Sequence, residues 1–379
     1  MQQSISTLKK TFSALALSLA VLPLSFSAAS ADWPMFLKNQ AHLPYVEKAP
    51  QPPLSLKWQF KTEGRVYSSP VVYKGKVFAG SYDGHLYAID ATTGELQWKF
   101  KTSGEIYSTP AVDQDIVFFG SVDSSVYALD ANTGKLLWKY ETGGPVLTSP
   151  VVAEGNVYIG SKDLYIYALS VKDGKRQWRM QMQDYAKYSG VYSSPAYSDG
   201  NIYYAGKNGI LYSASAKSGG RNWSFRTDSA IYSSPAIKDG IIYFPAYNRT
   251  LYALKLKDGT FAWRKNLGNN LVYASPVVTD DKIYIAFKNG EIKAYNRADG
   301  NETAAYKFPD EVNSTPAVSA NGFLYVGCDD GGVYGVDLKT GTIAWKHMTE
   351  GSVQSSPAVT DDAVYIGSED GSIYAFSAQ

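Results

Sequence analysis

The sequence predicts an all-β fold: an eight-bladed β-propeller of four-stranded antiparallel blades, closed by an N-terminal strand that completes the last blade. Three observations predict it. A unit of about 40 residues recurs, each unit carries four short strand signals, and the two ends of the chain hold complementary parts of one unit. The clearest copy is Tyr67–Phe100, YSSPVVYKGKVFAGSYDGHLYAIDATTGELQWKF, followed at once by YSTPAVDQDIVFFGSVDSSVYALDANTGKLLWKY, Tyr107–Tyr140. A landmark proline after Ser or Thr marks every copy: Pro70, Pro110, Pro150, Pro195, Pro235, Pro276, Pro316 and Pro357, in steps of 40, 40, 45, 40, 41, 40 and 41 residues.

Within the first copy, Tyr67–Tyr73 reads as strand A and ends at Lys74-Gly75. Lys76–Ser81 is strand B and ends at Asp83-Gly84. His85–Asp90 is strand C and ends at Thr93-Gly94, and Glu95–Lys101 is strand D. Short Val- and Tyr-rich runs between Asp-Gly and Thr-Gly turns are hairpin signals. Strands A to C are almost continuously apolar or small, which suits burial on both faces. Strand D alternates, with Leu96, Trp98 and Phe100 expected on one side and Gln97 and Lys99 on the other, as a half-exposed outer strand does. A sheet buried on both faces with a wet outer edge is a blade between two like blades.

The ends close the ring. The chain stops after a strand C, Ser372–Gln379, and an orphan strand D, Leu56–Thr62, precedes the first strand A. Pairing the two removes an exposed sheet edge. The strand-D aromatics, expected to fill the spaces between blades, are Trp58, Trp98, Trp138, Trp178, Trp223, Trp263, Tyr306 and Trp345.

The chain has 379 residues, with 33 Gly, 30 Tyr and 8 Trp. That is large for one domain, but a repeat protein grows because each unit packs only on its neighbours. Residues 1–31 read as a signal peptide: Lys9 and Lys10, an apolar run Thr11–Leu22, then Ala29-Ser30-Ala31 with cleavage after Ala31. The run is too short for a membrane anchor and Pro23 interrupts it. A periplasmic or secreted chain without membrane insertion is expected. Losing two lysines takes the net charge from +1 to −1, which argues against a nucleic-acid partner. Residues 32–55 form a lead-in whose Trp33, Met35 and Phe36 should pack across one end of the ring. Residues 56–379 form the propeller.

Catalytic patterns are scarce. His42, His85 and His347 stand in unrelated contexts without metal-ligand spacing. No Gly-x-Ser-x-Gly elbow occurs. Cys328, the one cysteine, falls where other copies have Ser and reads as a buried small residue. The acidic or amide residue once per copy (Asp83, Asp123, Asp163, Asn208, Asn248, Asn289, Asp330, Asp370) serves the hairpin, where it tolerates positive φ and bonds its own backbone. These residues assign no catalytic group and no metal.

Function is sought where the copies disagree. Three residues before each landmark proline stand Tyr67, Tyr107, Leu147, Tyr192, Tyr232, Tyr273, Asn313 and Gln354, at the start of the innermost strands. They should ring the mouth of the central channel, on the face shared by the D–A connections and the B–C turns. Tyrosine offers an apolar face and a polar tip. Tyr67, Tyr107, Tyr192, Tyr232, Tyr273, Asn313 and Gln354 are the candidate ligand-binding set; plugging the channel is the competing role. The one long step inserts about five residues between blades 3 and 4, Arg179–Gly190, with Met180, Met182, Tyr185, Lys187 and Tyr188 as the candidate partner-binding set.

The repeat SSPxV…GxVYxGSxDGxLYALDAxTGxxxWxF resembles the PQQ-binding-like β-propeller superfamily from Asp32 to Gln379, including the lead-in DWPMF. The resemblance implies eight blades and leaves function open, since one scaffold hosts many roles. It points to two branches. Quinoprotein dehydrogenases are much longer and, in the alcohol enzymes, pack a vicinal cysteine pair on the quinone. This chain has one cysteine, so PQQ enters only through the resemblance and no cofactor is assigned. BamB-type assembly lipoproteins are similar in length and blade count and bind a partner between blades 3 and 4. Here that segment reads AKYSGVYSSP, without their Arg-Gly-x-Ser element, and no lipobox cysteine is present. The expectation is an exported non-enzymatic binding or scaffold protein with a protein partner in the cell envelope. The alternatives are a small molecule or glycan at the channel mouth, or a quinone-dependent oxidoreductase-like protein.

Overall fold

The architecture comes from a computed structural model that describes residues 32–183 and 190–378. The expected leader and the insertion residues Tyr185, Lys187 and Tyr188 lie outside them. The described residues form eight separate antiparallel sheets and no helix. The first blade runs Val71–Tyr73, Lys76–Gly80, His85–Asp90 and Leu96–Lys101. The last consists of Ala358–Val359, Ala363–Gly367 and Ser372–Ala378, completed by the N-terminal strand Leu54–Lys61. That strand pairs antiparallel from Leu54↔Ala378 to Lys61↔Ser372, so the ring closes inside one sheet.

Strand A is shorter than the sequence suggested, because its first part is spent on links between blades. Each residue before the landmark proline donates its backbone N–H to the hydroxyl of its counterpart in the next blade. Ser69 bonds Thr109 at 3.1 Å, Thr109 bonds Ser149 at 3.1 Å, and the series continues through Ser194, Ser234, Ser275, Thr315 and Ser356. Ser356 then bonds Ser69 at 2.9 Å. A buried N–H needs a partner; here a closed ring of hydroxyls supplies eight of them around the channel.

Strand D also departs from simple alternation. In the seven blades with a strand-D tryptophan the residue before it is bulged; in blade 1 Leu96 pairs with Ile89 and Trp98 with Ala88. In blade 6 the register gives the tryptophan position to Ala304, after a bulge at Thr303, and Tyr306 takes the place of Phe100 instead. The bulge turns the chain, so Leu96 does not share the face of Trp98 and is 44% exposed. Trp98 reaches into the next blade, where its Nε1 donates to Ala131 O at 3.2 Å. Trp58, Trp138, Trp178, Trp223 and Trp263 do the same one blade on, and Trp345 donates to Leu54 O at 2.8 Å. Gly134 of the receiving turn sits at φ 70°, and a Cβ there would lie 2.7 Å from the Trp98 ring. Glycine is thus required twice, for its backbone angle and for the closeness of the indole.

The recurrent acidic residues bond more than their own turn. Asp83 accepts from His85 N at 2.8 Å, from the Tyr87 hydroxyl at 2.7 Å and from Glu63 N of the preceding loop at 3.0 Å. Positive φ falls one residue later than expected, at Gly84, 78°.

The lead-in crosses the ring at the end away from the D–A loops. Trp33 exchanges two backbone bonds with Val72, Pro34 O accepts from Val112 N, Gln40 O from Tyr197 N, Ala41 O from Ile237 N and Pro44 O from Val318 N. Tyr45–Val46 adds a parallel fifth strand beside Ala317–Ser319 of blade 7. His42 is buried beneath it, with Nδ1 2.9 Å from Pro235 O.

Candidate functional site

The D–A loops and B–C turns build the opposite, open end of the channel. Here two sets of side chains interleave. One is the set three before the landmark prolines. The other was not singled out from sequence: the residue just past strand B, which is Tyr82, Val122, Lys162, Lys207, Tyr247, Lys288, Asp329 and Glu369. Strand-A residues meet the turn of their own blade, that of the preceding one, or both. Tyr67 packs on Tyr82 (ring centroids 4.9 Å apart) and Tyr82 on Tyr107 (5.5 Å). Tyr192 lies between Lys162 and Lys207, and Tyr232 between Lys207 and Tyr247. Asn313 Nδ2 and Gln354 Nε2 both donate to Asp329 Oδ2, at 2.8 and 3.1 Å. The signal for this second set was present: a chemically variable column beside a mostly small residue, which is Ser in four blades (Ser81, Ser121, Ser161, Ser368).

A cavity of about 480 Å³ opens on one arc of this ring, lined by Tyr67, Tyr107, Tyr273, Lys288, Glu311, Asn313, Asp329 and Gln354. Five of the seven sequence-named mouth residues meet there. Tyr192 and Tyr232 stand on the other arc with the lysines. Tyr67 and Tyr107 stack nearly parallel, 5.1 Å apart at 10°, and Tyr107 keeps 38% exposure. The tyrosines thus line the mouth and still leave space within it.

The charges are segregated. Lys162, Lys207 and Lys288 stand on blades 3, 4 and 6, whereas Glu311, Asp329 and Glu369 stand on blades 7 and 8. Lys288 pairs with Glu311 at 3.0 Å and Arg65 with Glu369 at 3.4 Å. Burial pushes the Asp329 carboxyl above its ordinary value, against the two amide donors that favour its charge. Its Oδ1 is covered and has no hydrogen-bond partner among the described residues. Burial also raises the Tyr67 and Tyr107 phenols. Tyr273 is raised to about 12, first by its hydrogen bond with Tyr247. Tyr192 goes the other way: burial works upward, but Lys162 and then Lys207 bring its phenol below the ordinary value.

The insertion reads differently in three dimensions. Met182 is 1% exposed and packs against Gly206 of blade 4, so it belongs to the core and is not presented to a partner. Met180 is half-buried on the same cluster. Elsewhere, His85 Nδ1 is 3.1 Å from Asp83 Oδ1 within its turn. His347 packs on Phe376, and burial pushes the Cys328 thiol up to about 12. Among the described residues no three His, Cys, Asp or Glu side chains come together as a metal site would require.

The family model described as outer membrane protein assembly factor BamB matches residues 55–109, 101–197 and 186–379. The chain belongs to that family. Comparison with curated proteins gives no match. Among solved structures, BamB from Moraxella catarrhalis superposes with a TM-score of 0.75 at 17% identity, covering 86% of this chain and 99% of that one. A europium-containing methanol dehydrogenase gives 0.80 at 15%, covering 91% and 98%. A quinohemoprotein alcohol dehydrogenase from Comamonas testosteroni gives 0.78 at 15%, covering 91% and 80%. At such identities these likenesses establish the shared eight-bladed fold.

Proposed function

We propose that this chain is an exported, non-enzymatic binding propeller that holds a protein partner of the cell envelope on its D–A/B–C face, in a BamB-like role. The observation that carries this reading is the interleaved mouth. The repeated residues of each blade are committed to packing and to links between blades. The residues that differ from blade to blade gather around one opening, half-exposed and chemically mixed, as at binding surfaces. The other end of the channel is covered by the lead-in.

The cavity beside Tyr107 and Asp329 favours a second reading, a small molecule or glycan bound between phenol faces and amides. A quinone fits poorly. The only cysteine is buried, Tyr67 and Tyr107 turn ring faces to each other, and Glu311 is tied to Lys288.

The test is site-specific photo-crosslinking in the intact cell envelope from Tyr107 at the mouth and Tyr185 in the insertion. A probe at Lys99 on an outer strand is the control. Discrete protein adducts from the first two sites alone are expected. A folded, abundant protein that yields none would overturn the partner reading and favour the small ligand.

A further inference from the structure

We infer that Lys162, Tyr192 and Lys207 form an anion subsite that takes an acidic peptide segment; this rests on the partner reading above. Lys162 Nζ lies 3.7 Å from the centre of the Tyr192 ring and also donates to its hydroxyl. Lys207 Nζ lies 5.0 Å from the same ring and 5.9 Å from that of Tyr232. Two ammonium groups therefore share one aromatic ring. Like charges so placed repel, and the ring quadrupole offsets only part of that.

The rest of the mouth shows what is missing. Lys288 and Arg65 each have a carboxylate in ion-pair range, Glu311 and Glu369. Among the described residues neither Lys162 nor Lys207 has one. The Tyr192 phenol is held below its ordinary value by Lys162 and then Lys207, against the upward effect of burial, as two nearby ammonium groups require. Both lysines are half-buried, so solvent screens them less than it screens lysines on the outer strands.

A glutamate-rich segment fits this arrangement. Its carboxylates take charge-assisted bonds from the two ammonium groups. Its methylenes lie on the Tyr192 and Tyr232 faces. The arc bearing Glu311, Asp329 and Glu369 repels the same segment, which fixes where and in which orientation it docks.

The experiment titrates labelled acetyl-tetraglutamate amide into the mature chain by fluorescence anisotropy. Acetyl-tetralysine amide and inorganic phosphate run beside it. Binding of the acidic peptide alone is expected, weakening with salt. Lys162→Gln with Lys207→Gln should weaken it by roughly tenfold or more, Lys162→Arg with Lys207→Arg should retain it, and Lys99→Gln with Lys139→Gln should not alter it. Circular dichroism verifies that each variant is folded. Three results would overturn the subsite: no binding to folded wild type, an equal loss in the outer-strand variant, or displacement by equimolar phosphate, the mark of a generic ion effect. Asp184 is an acidic residue of the insertion. If binding appears only in Asp184→Asn, the chain supplies its own anion and the proposal also falls. Crosslinking without peptide binding would leave the partner reading standing and remove the subsite; peptide binding without crosslinking would do the reverse.

Discussion

Ser356 donates its backbone N–H to Ser69 Oγ at 2.9 Å, across 287 residues of sequence. This bond joins blade 8 to blade 1 and completes the hydroxyl ring around the channel. Ser69→Ala removes the acceptor and leaves a buried N–H unpaired. The expected cost is about 1–3 kcal/mol, read as a lower denaturation midpoint with an unchanged m-value. An unaltered midpoint would show that the ring contributes nothing to closure.

Trp98 packs over Gly134 and bonds Ala131 O. Trp98→Ala should cost about 3–5 kcal/mol, because the neighbouring blades cannot collapse into the space. Chemical denaturation measures it, and a loss well under 1 kcal/mol would refute the packing role.

Met182 and Tyr185 stand three residues apart in the same insertion but should behave oppositely. Met182→Ala should destabilise by about 2–5 kcal/mol as a core truncation. Tyr185→Ala should leave the unfolding midpoint unmoved and weaken partner capture. A pull-down paired with thermal unfolding separates the two effects; unchanged capture in Tyr185→Ala would discount the insertion as a contact.

His42 is buried with its Nδ1 facing Pro235 O and its ring against Phe36, and desolvation holds its pKa down at about 4. The folded value lies below the unfolded one, so the neutral ring's contribution is complete above pH of about 6.5 and is lost as pH falls toward about 4. About 3 kcal/mol is at stake over that window. His42→Phe should flatten the acid limb of the stability curve between those values. Parallel acid limbs for both proteins would place the acid sensitivity elsewhere.

The acidic turn residues add to the same limb. Asp83 and Asp370 are held below the ordinary carboxylate range despite burial, by tyrosine hydroxyl and backbone N–H donors. Their contribution is present above the unfolded carboxylate pKa and lost as pH falls below it. Asp370→Asn should lower stability at neutral pH and leave less to lose on acidification, measured by urea midpoints at pH 7 and pH 3.

Most of the fold could be read from the chain because every blade repeats the same local rules. The landmark proline, the Asp or Asn of the B–C turn and, in blades 1 to 5, the strand-D tryptophan sit at nearly constant spacing. The orphan strand before Tyr67 required a partner at the far end. Leu96 was misplaced because a bulge leaves no mark in the alternation of apolar residues. Met182 looked like a surface residue because a loop insertion carries no sign of which side chains fold back under it.

By itself, the sequence determined the blade count, the closure of the ring and the ring of Tyr67, Tyr107, Tyr192, Tyr232, Tyr273, Asn313 and Gln354. Repetition makes these matters of counting, since identical spacing puts equivalent residues at equivalent heights around one axis. Only the tertiary structure decided that Asp329 meets Asn313 and Gln354, that Lys162 and Lys207 converge on Tyr192, and which end of the ring the lead-in covers. Gln354–Asp329 and Lys162–Tyr192 join residues of neighbouring blades, while Asn313–Asp329 and Lys207–Tyr192 join the innermost strand to the turn of its own blade. Their geometry depends on how neighbouring blades twist and lean together, which no spacing along the chain encodes.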